Sequence, residues 1–531
     1  MSSLNRLSSP RASWWITFVL VGVVGTCWAL ASPPYSAVDE PLHVIKAVSI
    51  ARGQWVGDML AEDQIPADAV YRNGWATFKV PEIYGEAEEA SRCFRGADHI
   101  SEPANCFSFS GSTESAEIAS LDPRYPPAYY LAVGLPTRLV PDGPNAVRVM
   151  RLISVAVFAA FVASAASSLR RLSRPKPALL GLLVALTPMA LHLAASVNPS
   201  GVEIGAAIAL WASGAILIRE APDSTDPRLV IRAGVASVVL VLTRPASPVF
   251  GLLIGVALLA LANRSGVRAL VRARSAQLAA AAIAIAAAFQ VGWNQLVQPN
   301  YYGTPIPDVV PRSDVIRFAT GKTIGYYQQA IGVFGAPEFS VNTFTIILWS
   351  LLLGGLLFAA VTVARRRVLL VMAGVLAIAI VMPITADVSQ ADRFTYAWQG
   401  RYTIPLIAGL PILAGIALAS RPASDLFSRR RVLVVFGFTF TLAQFLAFAE
   451  FLQRYTVGVD GVLLFAFEPA WSPPVHGAIL LFTALASLIG LSAVLMADTG
   501  RGRQLPEQLP VLDSLAASDG RPVEQDTGRQ P

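Results

Sequence analysis

Stretches of about 20 apolar residues recur along the whole chain, separated by short arginine-rich turns, and each is long enough to cross the hydrocarbon core as a helix. This pattern points to an all-α polytopic membrane protein, because in lipid a spanning helix satisfies every backbone N–H and C=O within its own segment. With 54% hydrophobic and 14% charged residues among 531, and a mean hydropathy of +0.54, a soluble domain of this size is excluded. The net charge of +6 does not point to nucleic acid, since the arginines sit between apolar spans and not on one polar face.

Read as topology signals, those arginines thread the chain. The run from Trp14 to Ala31 follows Arg6 and Arg11 and ends in Ser32-Pro33-Pro34 without a small-residue cleavage site, so an uncleaved first helix with its N-terminus inside is expected. Placing Arg170, Arg171, Arg174 and Lys176 in the cytoplasm makes the helix from about Arg148 to Leu169 run inward. Alternation from there gives about 12 spans, the last from Pro474 to Met496. The expected organisation is a cytoplasmic N-terminus over 1–13 and a transmembrane domain over 14–496, holding large external loops at 32–147 and 298–340. A polar, disordered cytoplasmic tail over 497–531 completes it, and both termini lie inside a multi-pass plasma (inner) membrane protein.

The first external loop is unusually long and carries nearly half of the 35 acidic residues, and loops of that length are usually functional. Within it, Asp39 to Ala51 has the periodicity of an amphipathic helix lying along the membrane interface. Pro126 to Leu139 is apolar but short and reads as a juxtamembrane helix. Cys93 and Cys106 also fall here, where either a disulfide or two buried free thiols fits the environment.

Four short strings carry candidate chemistry. In Asp39-Glu40-Pro41-Leu42-His43, either acid can cap a helix opened by the proline, or a pair of neighbouring acids beside lipid can hold one pKa near neutrality and serve as a base. In Arg124-Tyr125-Pro126-Pro127-Ala128-Tyr129-Tyr130, Arg124 suits a phosphate or carboxylate, or is an interfacial anchor with the tyrosines. Asn198 to Gly201 forms an Asn-Pro-Ser-Gly turn, with Glu203 close behind it. In Gln399-Gly400-Arg401-Tyr402, Arg401 lies on the wrong side for topology, as does Arg244; the readings are a lipid-linked phosphate, or pairing with Asp387 or Asp392. Gly321-Lys322-Thr323 looks like the end of a phosphate-binding loop, but Ile316 stands where the first glycine is needed. The four histidines are scattered and no Cys/His spacing suits zinc.

Together, in this order, the four strings resemble the bacterial membrane-protein family labelled domain of unknown function 2142, over about Trp14 to Met496. That family in turn looks like the C-type (GT-C) integral-membrane glycosyltransferases, which use polyprenyl-phosphate sugars outside the cytoplasm. The resemblance implies Asp39 or Glu40 as catalytic base, and Arg244 or Arg401 on the donor phosphate. His43, Arg124, Tyr129, Asn198 and Tyr402 are expected to complete the substrate site, with the bilayer, the lipid-linked sugar and a glycan or glycolipid acceptor as partners. Arg-Tyr-Pro-Pro replaces the family's usual His-Pro-Pro, and a second acidic pair that would complete a divalent-cation site is not evident, so metal dependence stays open. Two other classes fit the same bulk features: a flippase or transporter of lipid-linked saccharides, and a non-catalytic envelope-assembly scaffold.

Overall fold

A computed structural model of the chain describes residues 10–65, 74–121, 125–221, 225–297, 311–335, 338–389, 391, 398–420, 426–427, 429–462 and 467–497. The N-terminal residues 1–9, the tail beyond 497, Arg124, Asp392 and part of the expected second loop lie outside these.

Each of the dozen apolar segments folds as helix. Nine helices among the described residues are long and apolar enough to cross a membrane, or ten if a bent pair counts as one span. The remaining two, α9 (Pro227–Thr243) and α10 (Ser247–Leu261), have 17 and 15 residues. Length and composition therefore support nine or ten crossings among the described residues and do not confirm the count of about twelve. The chain is nonetheless a multi-pass helical membrane protein.

The bundle is built around α8 (Pro199–Glu220), which packs against α5 (Pro144–Leu169) and α9; α5 in turn packs on α1 (Pro10–Leu30). Large apolar side chains such as Leu351 and Phe358 on α15 (Thr343–Val363) and Leu370 on α16 (Arg366–Ser389) stay exposed, as lipid-facing surfaces must. The bent pair is α6 (Lys176–Ala185) and α7 (Pro188–Ala194), broken by 65° at Leu186-Thr187. The break frees the Leu186 carbonyl, which accepts from Gln444 Nε2 on α19 (Arg430–Val457), while the Thr187 hydroxyl caps α7 by accepting from the Ala190 amide. At about 1.5 Å per residue, the 28 residues of α19 outrun the hydrocarbon core, and its end enters the lobe formed by the long first loop.

That lobe contains a feature not anticipated from the sequence, a three-stranded antiparallel sheet. Its strands β1 (Asp58–Met59), β2 (Ala76–Pro81) and β3 (Ser115–Ser120) lie in that order, with Phe78 opposite Ile118. Ala76, Phe78 and Val80 alternate inward onto α2 (Glu40–Ala51) while Lys79 points out. Here the expectation of an interfacial amphipathic helix is corrected. Ten of the twelve residues of α2 are buried, because the sheet and α4 (Pro127–Gly134) cover the side that would have met water and headgroups. Lys46, a charged residue of this helix, is fully buried, with its Nζ donating to the Trp55 carbonyl and lying 5.2 Å from the Phe78 ring centre. Cys93 and Cys106 are joined by a disulfide, and the Arg454 guanidinium at the end of α19 donates to the carbonyls of Phe94 and Glu102 within the loop it closes.

Close approach of α6 to α18 (Gly409–Ala419) depends on two glycines: a Cβ at Gly181 would strike the Pro411 carbonyl and one at Gly415 the Pro177 carbonyl. Gly181→Val and Gly415→Val are each expected to cost about 1–3 kcal/mol. Gly354→Val, at a glycine with open space around it, should be neutral. Thermal unfolding of the three variants in detergent checks this, and equal melting temperatures would contradict the packing described.

Candidate active site

The site is organised by a buried ion pair. Arg151 of α5 meets Glu40 through two bonds, Nε to Oε1 at 2.7 Å and Nη2 to Oε2 at 2.5 Å, and both side chains are almost wholly removed from solvent. Each carboxylate oxygen accepts one further bond, Oε1 from the Val197 amide and Oε2 from the Tyr35 amide. Arg151 also donates to the carbonyls of Ala29, Ser32 and Pro33. A carboxylate has about four acceptor positions, and all four of Glu40's are filled. The pair ties the end of α1, the turn before α2, the turn before α8 and the second turn of α5 to one point. All four acceptor positions of Glu40, one of the two acids expected as base, are thus taken up by the fold.

Its neighbour is placed differently. Asp39 sits at φ 59°, in the left-handed region that aspartate tolerates better than most residues, and its side chain makes no capping bond to α2. The carboxylate turns away from the helix and accepts from Arg401 Nη2 at 2.7 Å, with 40% of its side chain exposed. Asn198 supports this turn: its Nδ2 donates to the Val38 carbonyl at 3.1 Å, and its Oδ1 caps α8 by accepting from the Ser200 amide. Burial pushes the Asp39 carboxyl up, but the charges of Arg401, His43 and Arg244 outweigh it and hold the pKa below the ordinary carboxylate value. A pKa raised toward neutrality is therefore not found at Asp39, and each acid faces its own arginine.

Arg401 follows Gly400 in a tight turn that needs a glycine, since a Cβ there would meet the Tyr326 carbonyl. Its Nη2 also reaches the Tyr402 hydroxyl at 3.1 Å, and its guanidinium lies 4.9 Å from the Tyr402 ring centre. Arg244, at the end of α9, lies 4.7 Å from the same ring and pairs with Glu203 at 3.0 Å, whose other oxygen accepts from the Ser247 hydroxyl. Asp387, one of the two partners proposed from sequence, pairs with neither arginine and accepts instead from the Tyr326 hydroxyl and the Trp398 amide, while Asp392 lies outside the described residues. Arg401 Nε and Nη1 and Arg244 Nε are buried without hydrogen-bond partners among the described residues. Arg401 and His192 both line one small cavity, and His192 Nε2 is likewise unpartnered.

The second string completes the wall. His43 Nδ1 and the Tyr130 hydroxyl are 2.9 Å apart, with the Tyr125 ring against the imidazole at 5.0 Å. Tyr129 turns inward to Ser154 at 2.9 Å. The four strings therefore meet at one end of the bundle, the end that bears the lobe. The chain belongs to the DUF2142 family of predicted membrane proteins. Its family model matches residues 22–410, well over half of the chain, and contains all four strings. Among solved structures, ArnT from Cupriavidus metallidurans bound to undecaprenyl phosphate is similar at 15% identity, over 91% of this chain and 76% of that one, with a TM-score of 0.44. ArnT in the apo state gives 14% identity, 93% and 78% coverage, and a TM-score of 0.38. No curated protein matches the chain. Sequence reasoning missed three residues that matter here, Arg151, His192 and Ser247, all within the DUF2142 match. Arg151 carried a signal, a second arginine one turn into an apolar helix whose outer end needs none for topology.

Two consequences are measurable. Glu40→Ala strands the Arg151 charge in the protein interior and is expected to cost about 3–5 kcal/mol, so the variant should lose its folded, monodisperse form in detergent. Asp39→Asn should keep it. Because the Asp39 pKa is depressed in the folded state, its pairing with Arg401 contributes fully above the ordinary carboxylate value of about 3.9 and is lost as pH falls through the lowered one. Melting curves at stepped pH should therefore show a constant difference between wild type and Asp39→Asn from neutrality to about pH 5; a difference already gone by about pH 6 would contradict the assignment.

Proposed function

We propose that the protein is an integral-membrane glycosyltransferase of the GT-C type, moving a sugar from a polyprenyl-phosphate donor to a cell-envelope glycan or glycolipid acceptor. The observation that carries this reading is a half-exposed carboxylate, Asp39, set beside two arginines gathered on the Tyr402 ring. A base and a phosphate-binding pair are what a lipid-phosphate leaving group and a hydroxyl acceptor require.

In this reading Asp39 accepts the acceptor's hydroxyl proton while that oxygen bonds to the anomeric carbon of the sugar. The bond from the anomeric carbon to the phosphate oxygen breaks, and its electron pair leaves with the polyprenyl phosphate. Arg401 and Arg244 stabilise the charge that grows on that phosphate. Tyr402 keeps the two guanidiniums close despite their repulsion, and His43, Tyr125 and Tyr130 shape the acceptor side. Lipid phosphate leaves readily, so positioning and charge are the protein's main contributions.

A divalent cation fits the donor set poorly. Glu40 is saturated, Glu203 is held by Arg244 and Ser247, and Asp39 faces Arg401. Among the described residues no group of three or more His, Cys, Asp or Glu converges. We therefore assign charge neutralisation to the arginines and route no step through a metal. The positive-inside distribution supports placing the arginine-rich turns and both termini in the cytoplasm, with Asp39 and its lobe outside a plasma membrane.

Mass spectrometry of lipid-linked sugars and envelope glycans in a deletion strain tests the proposal. One polyprenyl-phosphate sugar should accumulate, one glycan should lose that sugar, and neither Asp39→Asn nor Arg401→Gln should restore it although both reach the membrane. Full rescue by Asp39→Asn would remove the base and favour transport; full rescue by both would favour a scaffold.

A further inference from the structure

Arg401 offers an incoming anion only one corner. Its Nε and Nη1 are sealed from solvent within the protein, and the side chain as a whole is 4% exposed. The remaining nitrogen, Nη2, is already occupied by the Asp39 carboxylate at 2.7 Å and by the Tyr402 hydroxyl. Arg244 is similarly engaged by Glu203, which is buried and also fixed by Ser247, so that pair is anchored on both sides. Asp39 is not: it is 40% exposed, sits in a left-handed backbone conformation and makes no capping bond to α2. Of the two carboxylates that occupy the arginines, Asp39 is the one that can move aside.

We infer that Asp39 is a resident anion that the donor's phosphate must displace from Arg401, and that this displacement is what frees the carboxylate to act as base. The inference rests on the glycosyltransferase reading of the site and adds an order of events to it. With no lipid phosphate present, Asp39 is held by a charge-assisted hydrogen bond that lowers its basicity, so an acceptor hydroxyl that arrives first meets a weak base. Once a phosphate oxygen takes Nη2, the Asp39 carboxylate loses its counter-charge, faces an anion and gains affinity for a proton. The donor then binds before the acceptor is activated, and the sugar is not exposed to an active base until its phosphate is seated. The buried Glu40–Arg151 pair directly behind holds the backbone on which Asp39 turns.

A consequence opposite to ordinary intuition follows: removing the base should tighten the donor site. The test is binding of farnesyl phosphate, as a short polyprenyl-phosphate probe, to the full-length protein in nanodiscs, with wild type, Asp39→Asn and Arg401→Gln compared at one pH and salt concentration. Asp39→Asn is expected to bind on the order of tenfold tighter than wild type, while Arg401→Gln weakens binding by a similar factor. Equal or weaker binding by Asp39→Asn, with Arg401→Gln still weakened, overturns the displacement and leaves the phosphate site standing. Binding that ignores Arg401→Gln overturns both. Melting temperatures of the three proteins in the same nanodiscs separate a lost site from a lost fold.

Discussion

The structure hangs on one interaction, the buried pair of Glu40 and Arg151. Burying two charges is costly, and the cost is offset only when every polar valence is met. Here it is met: the carboxylate accepts from two guanidinium nitrogens and two backbone amides, and the guanidinium reaches three carbonyls at the end of α1 and the turn beyond it. All of those contacts except the one from Tyr35 join parts of the chain more than a hundred residues apart. They fix where the first helix stops, where the lobe begins, and where the turn before α8 lies against it, and the candidate active site is built on that junction.

The same junction explains why two adjacent acids have opposite fates. With Glu40 anchored inward and Pro41 opening α2, the chain can reach the helix only if Asp39 takes a left-handed conformation. That conformation directs its carboxylate outward, to Arg401. Arg401 is delivered by a tight glycine turn, Arg244 by the broken connection between α9 and α10, and Tyr402 lies between them. The α9–α10 turn is itself held by Asn294 of α12 (Arg274–Val297), whose Nδ2 donates to the Pro245 carbonyl. Supporting polar contacts inside lipid are rare and expensive, and here they surround one half-exposed carboxylate.

Much of this was legible in the sequence, and the exceptions have physical causes. Apolar length located every helix of the bundle, since the solvent leaves no alternative structure for such segments. It could not fix the number of crossings, because α9 and α10 fall near the minimum length and the α6–α7 segment is bent at Leu186. The strings around Asp39, Tyr130, Asn198 and Arg401 were found because their polarity is out of place beside lipid, and the fold brings them together. The partners were not legible. Which arginine meets which acid depends on contacts between distant helices, so Arg401 with Asp39 and Arg244 with Glu203 emerge only in three dimensions. The burial of α2 is not legible for a related reason: its periodicity is that of an interfacial helix, and nothing local announces the sheet that covers it. Arg124, singled out from sequence, lies outside the described residues.

The proposed order of events requires a lipid phosphate to bind at Arg401 in place of the Asp39 carboxylate. An experimental density map of the full-length protein in nanodiscs with farnesyl phosphate examines it most directly. A phosphate is expected within hydrogen-bonding distance of Arg401, with the Asp39 carboxylate moved off Nη2 and the Glu40–Arg151 pair unchanged. A phosphate bound elsewhere, with Asp39 still on Arg401, would contradict it.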